Sequence, residues 1–416
     1  MSAQRPDVLI LGGGVIGLAC ALFLLRAGRS VRVLEMNRIG SGSSHGNCGT
    51  ITPGLLPLPA PGTIAKGLKW LLKPDAPLRI KPTLNPELLA WLFAFAGHCN
   101  ARDYRRTAEL KAKLLLASRE RLAQLVRDEG LDCEFEDSGT LSVYRDAAEF
   151  EKAAPEAKLL RELGVPVQVL DGAAARTLEP ALNDSIIGAH HHPGDARLRP
   201  NRYVAELARA VCAAGGEIRE NTEITGFRIG SNRVETVVSV REKFSAAEIV
   251  FALGAWSPRI GRQLGLRLPI QPGKGYSITY ARPVRAPTIP VTLKERSVCV
   301  TAWASGYRLG STMEFSGYDS TLNRTRLDAL ARAAAEYLHE PVGPKIEEEW
   351  YGWRPMTPDD LPIIGRALPL ENLTLATGHG MLGVSLSAIT AQLVTELLTG
   401  LPTTLAIERC AVTRFR

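Results

Sequence analysis

From Val8 to Leu25 the chain is uncharged and mostly apolar, yet Gly12-Gly13-Gly14 divides the run in two. The apolar residues before the glycines fit a buried strand, and those from Val15 towards Gly28 fit a helix. Val31-Arg-Val-Leu34 predicts a second strand, closing on Glu35. Helical periodicity runs from Glu87 to Glu129, through Leu110, Leu114, Leu115, Leu122, Leu125 and Val126, and Gly130 stops it. Gly139-Thr-Leu-Ser-Val-Tyr144 alternates like a strand and precedes a helical stretch from Ala147 to Gly164. Pro200 opens a helix marked by Tyr203, Leu207 and Val211 and ended by Gly215-Gly216. Residues 217–219, 223–229, 234–241 and 249–253 read as a β-meander. Alternation in 275–280, 298–302 and 307–311 predicts a separate antiparallel sheet, followed by a helix over 322–338. A last helix over 384–398 follows the loop Thr377-Gly-His-Gly-Met-Leu-Gly383. Gly40 to Pro61, rich in Gly, Ser and Pro, fits no element and is too long for an idle connection.

At 416 residues the chain exceeds one ordinary core, so two domains are expected. Hydrophobic residues make up 45% and charged residues 22%, a globular balance that argues against disorder. The net charge of +7 is dispersed; its longest cluster, Arg102 to Arg106 with Lys111 and Lys113, reads as a solvated helix face, and no nucleic-acid partner is expected. The seven cysteines include no Cys-x-x-Cys pair, which implies reduced thiols in a cytoplasmic compartment. Val8 to Leu25 has the length of a membrane span, but the glycines break it, so no transmembrane segment is expected. Leu88 to Ala96 is too short to span and reads as core, with contact at a bilayer surface as the alternative. His190-His191-His192 reads as an exposed loop rather than a metal tract, and no metal is expected.

The first glycines carry the chemistry. Gly12 permits a tight turn, Gly14 lets backbone approach a pyrophosphate, and Gly17 allows close helix-on-strand packing, with Val15 and Ile16 opening the helix. The helix amino terminus offers N–H groups to phosphates. Glu35, about twenty residues on, suits ribose hydroxyls and repels a 2′-phosphate. A dinucleotide is predicted, with FAD and NAD both open.

Four blocks together resemble the FAD-dependent D-amino acid oxidase superfamily: Leu11 to Gly17, Ala252 to Ser257, Arg354-Pro-Met-Thr-Pro-Asp-Asp-Leu-Pro-Ile-Ile-Gly365, and Gly378-His-Gly-Met-Leu-Gly383. The stretch from Gly42 to Gly62 and Lys274-Gly-Tyr-Ser277 resemble the bacterial D-amino acid dehydrogenase branch, most narrowly the D-hydroxyproline dehydrogenases. The resemblance implies an α/β fold: a Rossmann-type FAD-binding domain from 1–85, 187–265 and 346–416, interleaved with an α+β substrate domain from 86–186 and 266–345 that carries a mixed or antiparallel sheet. It implies FAD held between Ser43, Ser44, His45, Asn47, Cys48 and Gly49 on one loop and Gly378, Gly380, Met381, Leu382 and Gly383 on another, with Gly254 at a second strand end. Arg354-Pro-Met stands where sarcosine oxidases place a flavin-linking cysteine, so the FAD is expected to be non-covalent.

Arg354 is then expected to clamp a substrate carboxylate, which a guanidinium meets with two parallel hydrogen bonds. Tyr276 is expected to bind that carboxylate or cover the pocket, with core packing as the alternative; His379 is expected to touch flavin or substrate. The implied reaction moves hydride from Cα of a small D-amino or imino acid to flavin N5, leaving an imine. Cis-4-hydroxy-D-proline is the preferred candidate, and general D-amino acids, glycine or sarcosine are the alternatives. Electrons would pass to a quinone-type or artificial acceptor, with respiratory coupling and peripheral contact at the inner face of a bacterial membrane. Two readings of a different class are an NAD-dependent dehydrogenase and a non-catalytic nucleotide sensor.

Overall fold

The computed structural model describes residues 5–71 and 76–415. Val8–Leu11 forms a strand, helix α1 follows at Val15–Arg26, and Val31–Leu34 returns parallel to the first strand, Leu11 opposite Leu34. Nothing in α1 from Val15 to Leu22 is exposed, which explains its nearly unbroken apolar sequence. The six-stranded sheet runs Ile363–Ala367, Leu370–Thr377, Glu248–Phe251, Val8–Leu11, Val31–Leu34, Glu217–Arg219, parallel except for its first strand. One face packs against α1, the Pro200–Ala213 helix and the C-terminal helix Gly383–Thr399 in a single apolar cluster. The other face packs against a small three-stranded sheet through Val234, Val237 and Phe244.

The expected meander is corrected here. Glu217–Arg219 and Glu248–Phe251 are parallel strands on opposite sides of the large β-α-β core, and only Ile224–Gly230, Arg233–Ser239 and Lys243–Phe244 form an antiparallel meander. Alternation fixes that a segment is extended, whereas its partner is fixed by burial against distant chain.

A ten-stranded sheet forms the second layer. Its spine is Gln271–Tyr280, paired along its length with Ile346–Met356 and over its second half with Gly306–Gly310. Beyond lie Val298–Trp303, Val291–Leu293, Thr140–Tyr144, Gly188–His192 and Gln168–Asp171. Its outer face buries an apolar cluster with the Arg324–Ala335 helix, and its inner face looks across a cavity towards the six-stranded sheet. Leu78–Ile80, Gly188–His192 and Ile346–Met356 belong to this sheet, although they fall in segments expected to bind flavin. Long-range pairing, rather than local composition, sets where an interleaved chain changes layer.

Three helices sit at one side: α2 (Thr63–Leu71), α3 (Pro86–His98) and α4 (Ala101–Asp128). Asn85 and Asn100 cap α3 and α4 by accepting from backbone N–H groups of their first turns. Lys111, expected on a solvated face of α4, is 2% exposed and ion-paired to Asp360. Leu88 and Trp91 of α3 are buried, whereas Phe93 is 78% exposed. Among the described residues no helix is long and apolar enough to cross a membrane.

Candidate active site

A single cavity of about 1450 Å³ runs between the two sheets. At one end it is walled by Gly12, Gly14, Val15, Ile16 and Glu35. Gly12 has φ of +107°, and a Cβ there would stand 2.5 Å from the Ala252 carbonyl oxygen. A Cβ on Gly17 would stand 1.9 Å from the Gly12 oxygen, so Gly17 serves packing and stays off the cavity wall. Glu35 accepts from the N–H of Gly13 at 2.8 Å and of Asn37 at 2.9 Å, which aims its carboxylate along the turn. Val15 N–H donates to Ser44 Oγ at 3.2 Å, tying the helix start to the Gly42–Thr50 loop.

That loop contributes Ser43, Ser44, Asn47 and Cys48 to the wall. Asn47 folds back to accept from Gly49 N–H at 2.7 Å, and its Nδ2 reaches the Met381 carbonyl at 3.4 Å, bridging to the late glycine loop. Gly49 is structural: a Cβ there would stand 2.0 Å from Leu198 O. His45 turns away from the cavity and pairs with Glu348 at 2.7 Å. Arg308, 1% exposed, donates to the backbone oxygens of His45 and Asn47 at 3.0 and 2.9 Å and so pins the loop to the ten-stranded sheet. Sequence reasoning passed over Arg308; a lone Arg in an apolar strand, Gly306-Tyr-Arg-Leu-Gly310, was the available signal.

Gly254, Gly380, Met381, Leu382 and Gly383 also line the cavity. The C-terminal helix begins at Gly383, so its first-turn N–H groups lie at the wall. Gly378, with φ of +72°, instead packs on Thr357 behind the loop. His379 borders the cavity but is only 5% exposed, and its Nε2 is hydrogen-bonded to Thr390 Oγ1 at 2.9 Å. Burial pushes its pKa down to about 3, so the ring is neutral.

Arg354 lies in the cavity wall on the inner face of the ten-stranded sheet. Its Nη1 donates to the Thr312 carbonyl at 2.8 Å, and among the described residues no carboxylate pairs with it. Burial lowers its pKa, yet a guanidinium stays charged at any ordinary pH. Cys48 and Cys299 lie beside it; their mutual hydrogen bond, then burial, holds the Cys48 thiol well above its ordinary value.

Tyr276 requires correction. It is 1% exposed within the outer-face cluster, and its hydroxyl donates to Glu314 at 3.3 Å. Neighbours in a strand point to opposite faces, and Gly275, opposite Gly352 two residues before Arg354, marks the inner one. The histidine tract is corrected too: Gly188–His192 is a strand, and His190 and His192 are 4% and 7% exposed and line the cavity. Among the described residues no group of His, Cys, Asp and Glu is placed to hold a metal ion.

The cradle fits a flavin dinucleotide. Glycines leave backbone room where a pyrophosphate must approach, a carboxylate lies at the end of the second strand, and the cavity continues past two loops to an unpaired guanidinium. Its volume exceeds that of an ordinary small-molecule pocket, as a dinucleotide plus a substrate requires. These features define a dinucleotide-dependent oxidoreductase site. Residues 7–397 match the family model for FAD dependent oxidoreductases of the DAO type, and the chain belongs to that family. It is 34% identical to a D-amino acid dehydrogenase of Methylobacterium radiotolerans, over 98% of this chain and 99% of that one. A D-amino acid dehydrogenase of Agrobacterium fabrum is 33% identical over the same shares. The fold is similar to glycine oxidase from Geobacillus kaustophilus, with a TM-score of 0.80, 24% identity and 99% of each chain covered. The dinucleotide left open between FAD and NAD is therefore FAD.

Proposed function

We propose that this protein oxidises a small D-amino or imino acid at Cα, with cis-4-hydroxy-D-proline as the first substrate to test and non-covalent FAD as hydride acceptor. The observation that carries the reading is Arg354, a cavity-facing guanidinium with no carboxylate partner among the described residues. A partly buried cation left without a counter-ion is costly, and an incoming substrate carboxylate supplies one. The D configuration rests on the relatives named D-amino acid dehydrogenase.

Bound FAD supplies the hydride acceptor. The chain's own residues do the rest. Arg354 binds and orients the carboxylate, so that Cα is presented to the cofactor edge. Glu35 would hold the ribose hydroxyls of bound FAD, and the N–H groups at the start of the Gly383–Thr399 helix would favour negative charge on it. His379 is neutral and committed to Thr390, and no protein base is assigned: an amine that arrives unprotonated needs none.

A second arm of the cavity supports a quinone-type acceptor. It is roofed by Ile64, Leu68 and Trp70 of α2 and walled by Trp91, Leu92 and Phe95 of α3. At the rim Leu68 is 61% exposed beside Lys66, and outside the cavity Phe93 is 78% exposed and Lys69 is exposed, a surface suited to peripheral contact with an anionic cytoplasmic leaflet. The test is anaerobic bleaching of the flavin by a panel of D-amino and imino acids, repeated with oxygen and with a short-chain quinone as acceptor. Bleaching by cis-4-hydroxy-D-proline with reoxidation by quinone is expected; a flavin that stays oxidised across the whole panel defeats the reading.

A further inference from the structure

A third arm of the cavity leads away from Arg354 across the inner face of the ten-stranded sheet, and its chemistry is polar. Cys299, Thr292, Ser142 and His190 are successive cross-strand partners, and all four line the cavity. Strands are spaced by about 4.8 Å, so this row carries the floor about 14 Å beyond the strand of Cys299. Tyr144 stands two residues past Ser142 with Lys294 beside it, 6.0 Å from its ring, while His192 stands two past His190 on the other side of the row, and all three line the wall.

Two of these groups are buried without a partner. The Tyr144 hydroxyl, on a side chain 2% exposed, and His192 Nδ1, on a side chain 7% exposed, have no hydrogen-bond partner among the described residues. A buried hydroxyl or imidazole left unpaired costs stability, which makes each a sharp pointer to a bound group. Tyr144 and a neutral imidazole each supply a donor. Burial lowers the pKa of His190 and of His192 to about 4, so the positive charge in this arm belongs to Lys294. Glu156 also lines this arm and its Oε2 stands 3.8 Å from Lys294 Nζ, but both side chains are partly open to solvent, a loose pair that a better-placed anion can displace as the Glu156 carboxylate swings out to water.

We propose that this arm is a second anchoring site for the substrate, built to take a carboxylate or comparable anionic acceptor carried several bonds from Cα. This inference rests on the amino acid reading above. It makes Tyr144 and Lys294 determinants of specificity and extends the substrate class to D-amino acids with an acidic side-chain end. Arg354 fixes one terminus and Lys294 with Tyr144 the other, so a ligand that satisfies both is held in one register. A neutral chain of equal length leaves the far donors unpaired, and sites built to hydrogen-bond reject analogues that lack the partner.

The experiment uses the FAD-loaded enzyme under anaerobic conditions. Flavin reduction is followed with D-2-aminoadipate and D-2-aminopimelate, with D-norleucine as the neutral comparison and D-alanine and cis-4-hydroxy-D-proline as small substrates. At least one dicarboxylate is expected to exceed D-norleucine tenfold or more in kcat/KM, mainly through KM. Lys294→Met and Tyr144→Phe should each shrink that ratio at least fivefold. If the small substrates bleach the flavin but neither dicarboxylate outperforms D-norleucine, the anchoring site is wrong and the amino acid reading survives. An unchanged ratio in both variants also overturns it. If no compound in the panel reduces the flavin, both readings fall together.

Discussion

The Arg354 guanidinium lies directly over the α-carbon of Gly275 on the neighbouring strand: a Cβ built on Gly275 would stand 2.3 Å from Arg354 Cζ. The absence of a side chain at Gly275 is what lets the cation lie against the sheet with its Nη1 on the Thr312 carbonyl. Gly275→Ala should therefore displace the guanidinium while conserving its charge. The expected result is a KM for the amino acid raised tenfold or more, with flavin content unchanged. A wild-type KM would show that the position of Arg354 does not matter to binding.

Arg354→Lys tests geometry against charge. Lysine keeps the cation but cannot meet a carboxylate with two parallel bonds. A loss of about 2–3 kcal/mol in transition-state stabilisation, roughly thirtyfold or more in kcat/KM, is expected from steady-state kinetics. Arg354→Ala should lose more, and retention of flavin in both variants separates substrate binding from cofactor binding.

Glu35→Ala should weaken FAD retention, measured as flavin per protein after gel filtration and as the dissociation constant on titrating the apoprotein. Glu35 also accepts from Gly13 N–H, so the variant loosens the glycine turn itself. Glu35→Gln can still accept that N–H and should fall between the two. Equal flavin occupancy in all three proteins would remove Glu35 from the cofactor site.

Asp195 gives a pH dependence. Its carboxyl is 1% exposed, takes a hydrogen bond from Thr140 at 2.6 Å, and burial raises its pKa to about 7. The folded state therefore holds a proton that the unfolded chain releases near pH 4, and its contribution to stability is lost as pH rises from about 4 through 7. Asp195→Asn imitates the protonated form. Its melting temperature should exceed wild type by a few degrees at pH 8, and the difference should vanish at pH 4. A difference independent of pH would mean that the carboxyl titrates alike in the folded and unfolded chain.

The β-α-β start was legible because its signals are local: strand, Gly12, Gly17, helix and Glu35 fall within one short stretch and each answers to one steric or electrostatic need. Tyr276 was not, since Gln271–Tyr280 is buried almost throughout and Lys274, on the same face as Tyr276, Ile278 and Tyr280, obscures the contrast with Ser277 and Thr279 on the other. His190 and His192 were missed for the opposite reason. A strand that floors a polar cavity loses its apolar alternation and reads as loop, although the hydroxyls of Thr140 and Ser142 in the partner strand pointed to a polar inner face. Lys111 looked solvated because its partner, Asp360, is remote in sequence; only the fold brings the Arg354 block over α4.

Beside Glu248–Phe251 lies Leu370–Thr377, and the helix Gly383–Thr399 packs across α1, about 360 residues further along the chain. During synthesis, then, the amino-terminal segment Val8–Leu25 leaves the ribosome long before the surfaces that cover it exist. The coenzyme-binding fold closes only once residues 370–399 have emerged, so FAD capture waits for them, and a chain truncated before Gly383 would leave its most apolar segment uncovered.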